Sequence, residues 1–335
     1  MLDKERPSSG GQTGLGSALR VIALDALAKG PGATLVKNST LRDDLGFSAG
    51  TIQRALDVLA DRGALRTVSR GHLGRRIEEV DVGECWQSAG LDPLRVVLSP
   101  GGAIEMDVLE TVLAEELTNL GIAHTVQHQR GGAPRLHSIA NGSNDLTVVS
   151  AGTFEGVRAQ SGGEWQGVER ALSAGTYYAP DRLVVLRRRT DVTAGSEARL
   201  VAIDRTSFDH EALTLAEFAE GPVEFMEVPF TEVPAYVHAG VVDAGVWHVT
   251  RSAIPPVQAG LALLPFERPR GRAVRDALSA AVVVGWQGRT EIRSVLDALH
   301  LEGLLAEQKR GLRDEADRLT LLEIAVRDRK QPDNV

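Results

Sequence analysis

From Leu94 onward, short apolar runs alternate with amphipathic stretches, and the cycle then starts a second time. Leu94–Leu98 reads as a buried strand, Ser99-Pro100-Gly101-Gly102 as a turn, and Ile104–Leu120 as a helix stopped by Gly121. Strand Ile122–Gln127, helix Ala133–Ala140 and strand Asp145–Val149 follow, and Leu183–Leu186 reads as a crossover strand. The second cycle runs through strand Leu200–Ile203, a helix holding Leu213–Phe218, strand Val223–Val228, helix Glu232–His238 and strand Val242–Trp247. The chain then returns through Leu261–Pro265 and Ala281–Trp286 to helices over roughly 290–329. Strands that alternate with helices pair in parallel, with the helices outside. The expected architecture is therefore α/β with two lobes, the second inserted in the chain path of the first.

The first 78 residues follow a different rule. Residues 1–16 are Gly, Ser, Thr and charge, the composition of a disordered arm. Leu19, Ile22, Ala23, Ala26 and Leu27 then recur at helical spacing up to Lys29-Gly30-Pro31-Gly32. A second short helix, capped by Ser39 or Thr40, turns Leu41 and Leu45 inward and breaks at Gly46. A third starts after Ser48, with Ile52, Ala55, Leu56 and Leu59 on one face, and stops at Gly63. Two β-prone stretches, Ala64–Ser69 and Leu73–Ile77, flank Arg70-Gly71-His72. Helix, helix, turn, helix, hairpin is the order of a winged helix-turn-helix. Such a module presents short polar groups and Arg at the start of its last helix, where that helix enters the major groove. Ser48, Thr51, Gln53 and Arg54 stand there, and Arg70, His72, Arg75 and Arg76 on the hairpin can reach phosphates or the minor groove.

Charge agrees. The chain has a net charge of −8, but residues 1–80 hold twelve Lys and Arg against nine Asp and Glu. Residues 48–77 hold six Arg against two Asp. An acidic body with a basic N-terminal module implies that only the module meets a polyanion.

The stretch LRDDLGFSAGTIQRALDVLADRGALRTVSRGHLGRRI resembles the GntR-type winged-helix module. With the Cys-Trp-Gln that follows, it is similar to the YhfZ group of regulators, and the likeness runs on into the C-terminal part. That resemblance implies sequence-specific DNA binding, as a dimer, under a ligand-responsive domain. For residues 94–300 it implies a two-lobed domain like the type II periplasmic binding proteins. The expected domains are an arm (1–16), the winged helix-turn-helix (17–78), a linker (79–93), the ligand-binding domain (94–300, second lobe about 190–250) and a C-terminal helix and tail (301–335).

In open α/β sheets, ligands bind beyond the C-terminal ends of strands, near helix N-termini. This selects Ser99, Gly101 and Gly102 after the first strand, and Ser150, Gly152 and Thr153 after the third. In the second lobe it selects Arg205, Thr206 and Ser207 beside Asp204, and Trp247 with His248. Tyr178, beside Tyr177, falls near the hinge. One guanidinium, several hydroxyls and free N–H groups suit a small anionic metabolite, carboxylated or phosphorylated. Each segment also has a purely structural role open to it: turn, helix cap, local ion pair or core packing.

Other classes fare less well. Nucleotide and hydrolase fingerprints such as GxGxxG, GxxxxGK[ST] and GxSxG are missing from the sequence. His124 and His128 fall on a strand, about 13 Å apart and too far to share an ion. Asp209-His210 reads either as an acid–base pair or as a solvated helix start. Cys85, the single cysteine, reads as a packing residue. No metal, cofactor or catalytic residue is expected. No window approaches the roughly 20 apolar residues of a membrane span, and the N-terminus lacks a secretory signal. The expectation is a cytoplasmic protein, with no membrane partner and nucleoid-associated when on DNA. Leu301, Leu305, Leu312, Leu319, Leu322 and Val326 form a stripe that either packs on the first lobe or makes a dimer seam. The function expected is a homodimeric, ligand-responsive transcriptional regulator, not an enzyme. The alternatives are an enzyme or metabolite-binding protein with an accessory helical domain, or a regulator whose second domain only dimerises.

Overall fold

The computed structural model of the chain describes residues 14–162, 165, 167–179, 181–251 and 254–316. The expected arm falls almost wholly outside them, and so do Leu319, Leu322 and Val326 of the C-terminal stripe. Two compact units result. The first takes the described chain up to Leu94 with Glu116–Thr125 and Gln287–Leu299; the second takes Arg95–Glu115, Val126–Trp286 and the chain from His300.

The first unit opens with helices α1 (Leu15–Lys29), α2 (Asn38–Asp43) and α3 (Ala49–Asp61). The antiparallel strands β1 (Leu65–Ser69) and β2 (Arg75–Val80) follow. The helical periodicity becomes burial: Ile22, Ala26 and Leu27 of α1 meet Leu41 of α2 and Ile52, Ala55 and Leu59 of α3 in one core. Ser48 caps α3, its Oγ accepting the Thr51 N–H at 3.1 Å, a contact worth about 1 kcal/mol. Gly71 and Gly74, both with positive φ, turn the chain between the strands.

Three local expectations need correction here. Helix α2 starts at Asn38, behind Lys37, with no side-chain cap from Ser39 or Thr40. Leu45 is 42% exposed, and Phe47, beyond the Gly46 turn, fills the core instead. The expected linker (79–93) contains helix α4 (Val82–Ala89), whose cap is Asp81 accepting the Glu84 N–H at 2.8 Å. Its apolar face carries Cys85 and Ala89 into the same core. Cys85 donates to the Ala64 carbonyl, and burial pushes its thiol up to about 12, so it packs as an inert group.

The second unit holds two five-stranded mixed sheets. One contains β3 (Leu94–Leu98), β4 (His124–His128), β5 (Leu146–Ser150), β6 (Gly167–Ala171) and β12 (Ala281–Trp286), in the order β4-β3-β5-β12-β6. Helices α5 (Ile104–Asn119), α6 (Gly132–Ala140) and α7 (Ala151–Gln160) alternate with its strands. The other sheet, ordered β11-β7-β10-β8-β9, is built from β7 (Leu183–Arg188), β8 (Leu200–Ile203), β9 (Glu224–Glu227), β10 (Ala244–His248) and β11 (Leu261–Leu264). Helices α8 (Arg189–Thr193), α9 (Phe208–Phe218), α10 (Val233–Ala239) and α11 (Pro269–Leu278) accompany it. Strand β12 returns antiparallel between β5 and β6, so the second sheet is an insertion in the path of the first, as expected. All five residues of β5 are buried, as in a sheet covered on both faces.

The inserted lobe is larger than the expected 190–250. It runs from β7 through α11, because β7 pairs antiparallel with both β10 and β11. The C-terminal helices are α12 (Ile292–Ala298), which belongs to the first unit, and α13 (304–316) in the second. Within the stripe, Leu301 is buried and Leu305 and Leu312 are half-buried.

Candidate functional site

The first unit carries a polar face at the start of α3. Ser48 and Thr51 share a hydroxyl–hydroxyl contact of 2.9 Å. Gln53 donates to Asp57 at 2.7 Å and accepts from Arg75 at 3.4 Å, so it ties α3 to β2. Arg62 donates to Ser88, and Arg66 pairs with Glu78 and Glu79. Arg54, Arg70 and Arg76 are different: they are exposed and make no ion pair among the described residues. His72 is exposed at the turn between them.

In the second unit, the segments chosen from sequence separate into three groups. Ser99, Gly101 and Gly102 lead into α5, but the first turn of that helix already holds Glu105 and Asp107. Asp107 accepts the Gly102 N–H at 3.0 Å and pairs with Arg251 at 3.0 Å, while the Gly102 carbonyl accepts the Arg251 N–H. That helix start is therefore satisfied by its own acids. In the second group, Arg205 is held by Glu227 and Glu211, each at 2.8 Å. Thr206 bonds Asp204, and Ser207 caps α9. Trp247 is buried and stacks on Phe230 at 4.8 Å. These residues are committed within their own lobe.

The third group does come together. Ser150, at the end of β5, caps α7 through the Thr153 N–H at 3.0 Å. Its hydroxyl also donates to Asp209 of α9 at 2.6 Å, and the Tyr178 hydroxyl donates to the same Asp209 oxygen at 2.8 Å. Gly152 lies where α7 meets the inserted lobe: a Cβ there would fall 2.0 Å from Leu278 Cδ2 and 2.8 Å from Asp209 Oδ1. Beside this cluster Tyr177 accepts from Arg135 at 3.0 Å, and the Tyr177 and Tyr178 rings pack edge to face. Burial pushes the Asp209 carboxyl above the ordinary aspartate range, against the pull of the Ser150 and Tyr178 hydroxyls.

Sequence reading missed Arg135 and the role of Asp209. Arg135 is 2% exposed on α6, and among the described residues its guanidinium meets the carbonyls of Gln129, Gly131 and Val148 and the Tyr177 hydroxyl, all neutral. Its signal was a cation beside Leu136 and Ile139 on the inward face of a helix. Asp209 is not paired with His210. The His210 Nδ1 accepts from the Asp204 N–H and Nε2 faces the Val246 carbonyl, and burial lowers its pKa. The Tyr178 ring continues to His248, whose Nε2 lies 3.2 Å from the fully buried Glu105. Glu105 also accepts the Ala179 N–H at 3.0 Å.

A separate cavity of 950 Å³ lies among α5, the segment after β10 and α13, within the size range of small-molecule sites. None of the ligand residues expected from sequence lines it. Its charged groups are largely paired, Arg182 with Glu315 at 2.9 Å and Arg251 with Asp107.

Comparison with known proteins places the fold. The family described as the YhfZ C-terminal domain matches residues 81–318. The YhfZ protein of Escherichia coli (strain K12) is 24% identical over 304 residues, 90% of this chain and 96% of the relative. The crystal structure of YhfZ from Shigella flexneri superposes with a TM-score of 0.53 at 22% identity, covering 70% of this chain and 96% of that one. The periplasmic aliphatic sulphonate binding protein SsuA from Escherichia coli is more distant, with a TM-score of 0.43 at 19% identity, over 65% of this chain and 75% of that one.

Proposed function

The chain belongs to the YhfZ C-terminal domain family, and on that footing we propose that it is a DNA-binding transcriptional regulator whose two-lobed unit answers to a small anionic metabolite. The observation that carries the reading is the set of exposed arginines without an ion pair among the described residues: Arg54 on α3, and Arg70 and Arg76 on the hairpin. An arginine left without a carboxylate partner keeps its full charge for phosphates or for a guanine edge. The order of α1, α2, α3, β1 and β2 supports a winged helix-turn-helix of GntR type, with α3 in the major groove and the hairpin as wing.

On this reading two copies bind a pseudo-palindromic operator, with half-sites about one helical turn apart. The ligand acts by favouring one arrangement of the two modules, a coupling of about 1–3 kcal/mol. No catalytic step is assigned to the chain. Among the described residues no helix is long and apolar enough to cross a membrane.

The test is a mobility-shift titration against the DNA upstream of its own gene, with scrambled DNA as competitor, at about 50 and about 200 mM salt. Specific binding that weakens with salt is expected. Equal affinity for the two DNAs, or none for either across a genome-wide selection, would sink the regulator reading.

A further inference from the structure

Among the three long helices that start beside the candidate residues, α7 has no acid in its first turn, whereas α5 carries Glu105 and Asp107 and α9 carries Asp209 and Glu211. A helix start attracts negative charge through its free N–H groups and its dipole. At α7 that charge comes from the other lobe. Asp209 lies 6% exposed, with Oδ2 held by Ser150 and Tyr178, while Oδ1 is buried and the Thr153 hydroxyl also pulls on the carboxyl. Arg135 is 2% exposed, has no ion-pair partner among the described residues, leaves Nε without a hydrogen bond, and reaches the cluster through the hydroxyl of Tyr177, whose ring packs on Tyr178. A buried cation whose hydrogen bonds all go to neutral groups calls for an anion nearby.

We propose that Ser150, Tyr178, Arg135 and the start of α7 form a binding site for one carboxylate, and that Asp209 of the inserted lobe occupies it as a built-in substitute for the ligand. The natural ligand is then a small carboxylate that enters by displacing Asp209. Because Asp209 sits on α9 and the site on α7, displacement separates the two lobes at this point. Gly152 is what lets Asp209 come this close to the start of α7, since a Cβ there would strike both Leu278 and Asp209. This deepens the ligand-responsive half of the regulator reading and rests on it for its consequence at DNA.

The experiment uses the full chain and acetate, the side-chain fragment of aspartate itself. Asp209→Ala empties the site, so its melting temperature should rise along a saturating curve with sodium acetate and not with sodium chloride at equal ionic strength. The rise should reach roughly 3–6 °C at ten times the dissociation constant. Wild type and Asp209→Asn, whose amide still fills the space, should not respond, and adding Ser150→Ala to Asp209→Ala should abolish the rise. If Asp209→Ala fails to fold, Asp209→Ser vacates the same space while keeping a hydroxyl, and the same response is required of it. A folded variant that melts alike in acetate and chloride, or a wild type that responds as strongly, overturns the proposal. An acetate response in a protein that binds no specific DNA would retain the site and sink the regulator reading; specific DNA binding without the response would do the reverse.

Discussion

Arg54 and Arg205 show how little a residue's identity says without its neighbours. Both are exposed arginines near a helix N-terminus, Arg54 marked by the sequence for the major groove and Arg205 for an anion beyond a strand end. Arg205 is clamped between Glu211 and Glu227 and has no charge to spare. Arg54 makes no ion pair among the described residues and stands in α3 on the face opposite Ile52, Ala55 and Leu59. If α3 reads bases, Arg54→Ala costs about 1–3 kcal/mol at the specific site and relaxes discrimination at one position. A competition titration with single-base operator variants checks this. A uniform loss across all sequences would make Arg54 a phosphate contact.

The meeting of α7 with α9 and α11 shows how two helices can be fitted so closely that a methyl group matters. In isolation, Gly152→Ala improves a helix by about 1 kcal/mol. Here the new Cβ would lie 2.0 Å from Leu278 Cδ2, and overpacking of that kind costs about 1–3 kcal/mol. The expected net result is a lower urea midpoint at an unchanged slope. The same substitution at Gly16 of α1, where a Cβ meets nothing within 4 Å, should be neutral or stabilising. Equal effects at the two positions would mean that α7 is not tightly seated. The caps at Ser48 and Ser150 are readable locally, because a cap and its helix lie within three residues, and the same local form makes Ser207 a cap where the sequence marks it as a ligand hydroxyl. The Asp81 cap of α4 had the same form, an acid three residues before Glu84, and was passed over for the polar look of its surroundings.

Across the second unit, the two sheets are joined through polar groups as well as through chain crossings. Glu105 of α5 receives the Ala179 N–H from the segment before β7 and faces His248 at the end of β10. Burial works to raise its pKa, but His248 and the main-chain donors prevail and hold it below the ordinary glutamate range. A carboxyl depressed in the folded state adds stability above its unfolded pKa and loses it as the pH falls through the folded one. Glu105→Gln should therefore cost about 1–3 kcal/mol near neutral pH. The gap from wild type should close as the pH falls through the depressed carboxylate range. Urea titrations at pH 7, 5 and 3.5 measure it, and a gap independent of pH would mean that the charge of Glu105 is not what holds the junction.

Helix and strand positions, the basic N-terminal module and the insertion of one lobe in the other were legible in the amino-acid order, because periodicity, caps and glycine stops act over a few residues. The candidate ligand segments were legible only as a list. The fold brings Ser150, Gly152, Thr153 and Tyr178 together around Asp209, but nothing local distinguishes them from Ser99, Arg205 or Trp247. The distinction lies in pairings that span long stretches of chain: Ser150 meets Asp209 fifty-nine residues on, and Arg135 meets Tyr177 forty-two residues on. Whether a charge is free, clamped or buried depends on which distant group the fold brings to it. Periodicity carries no information about that, because solvation and ion pairing are settled only when the lobes close.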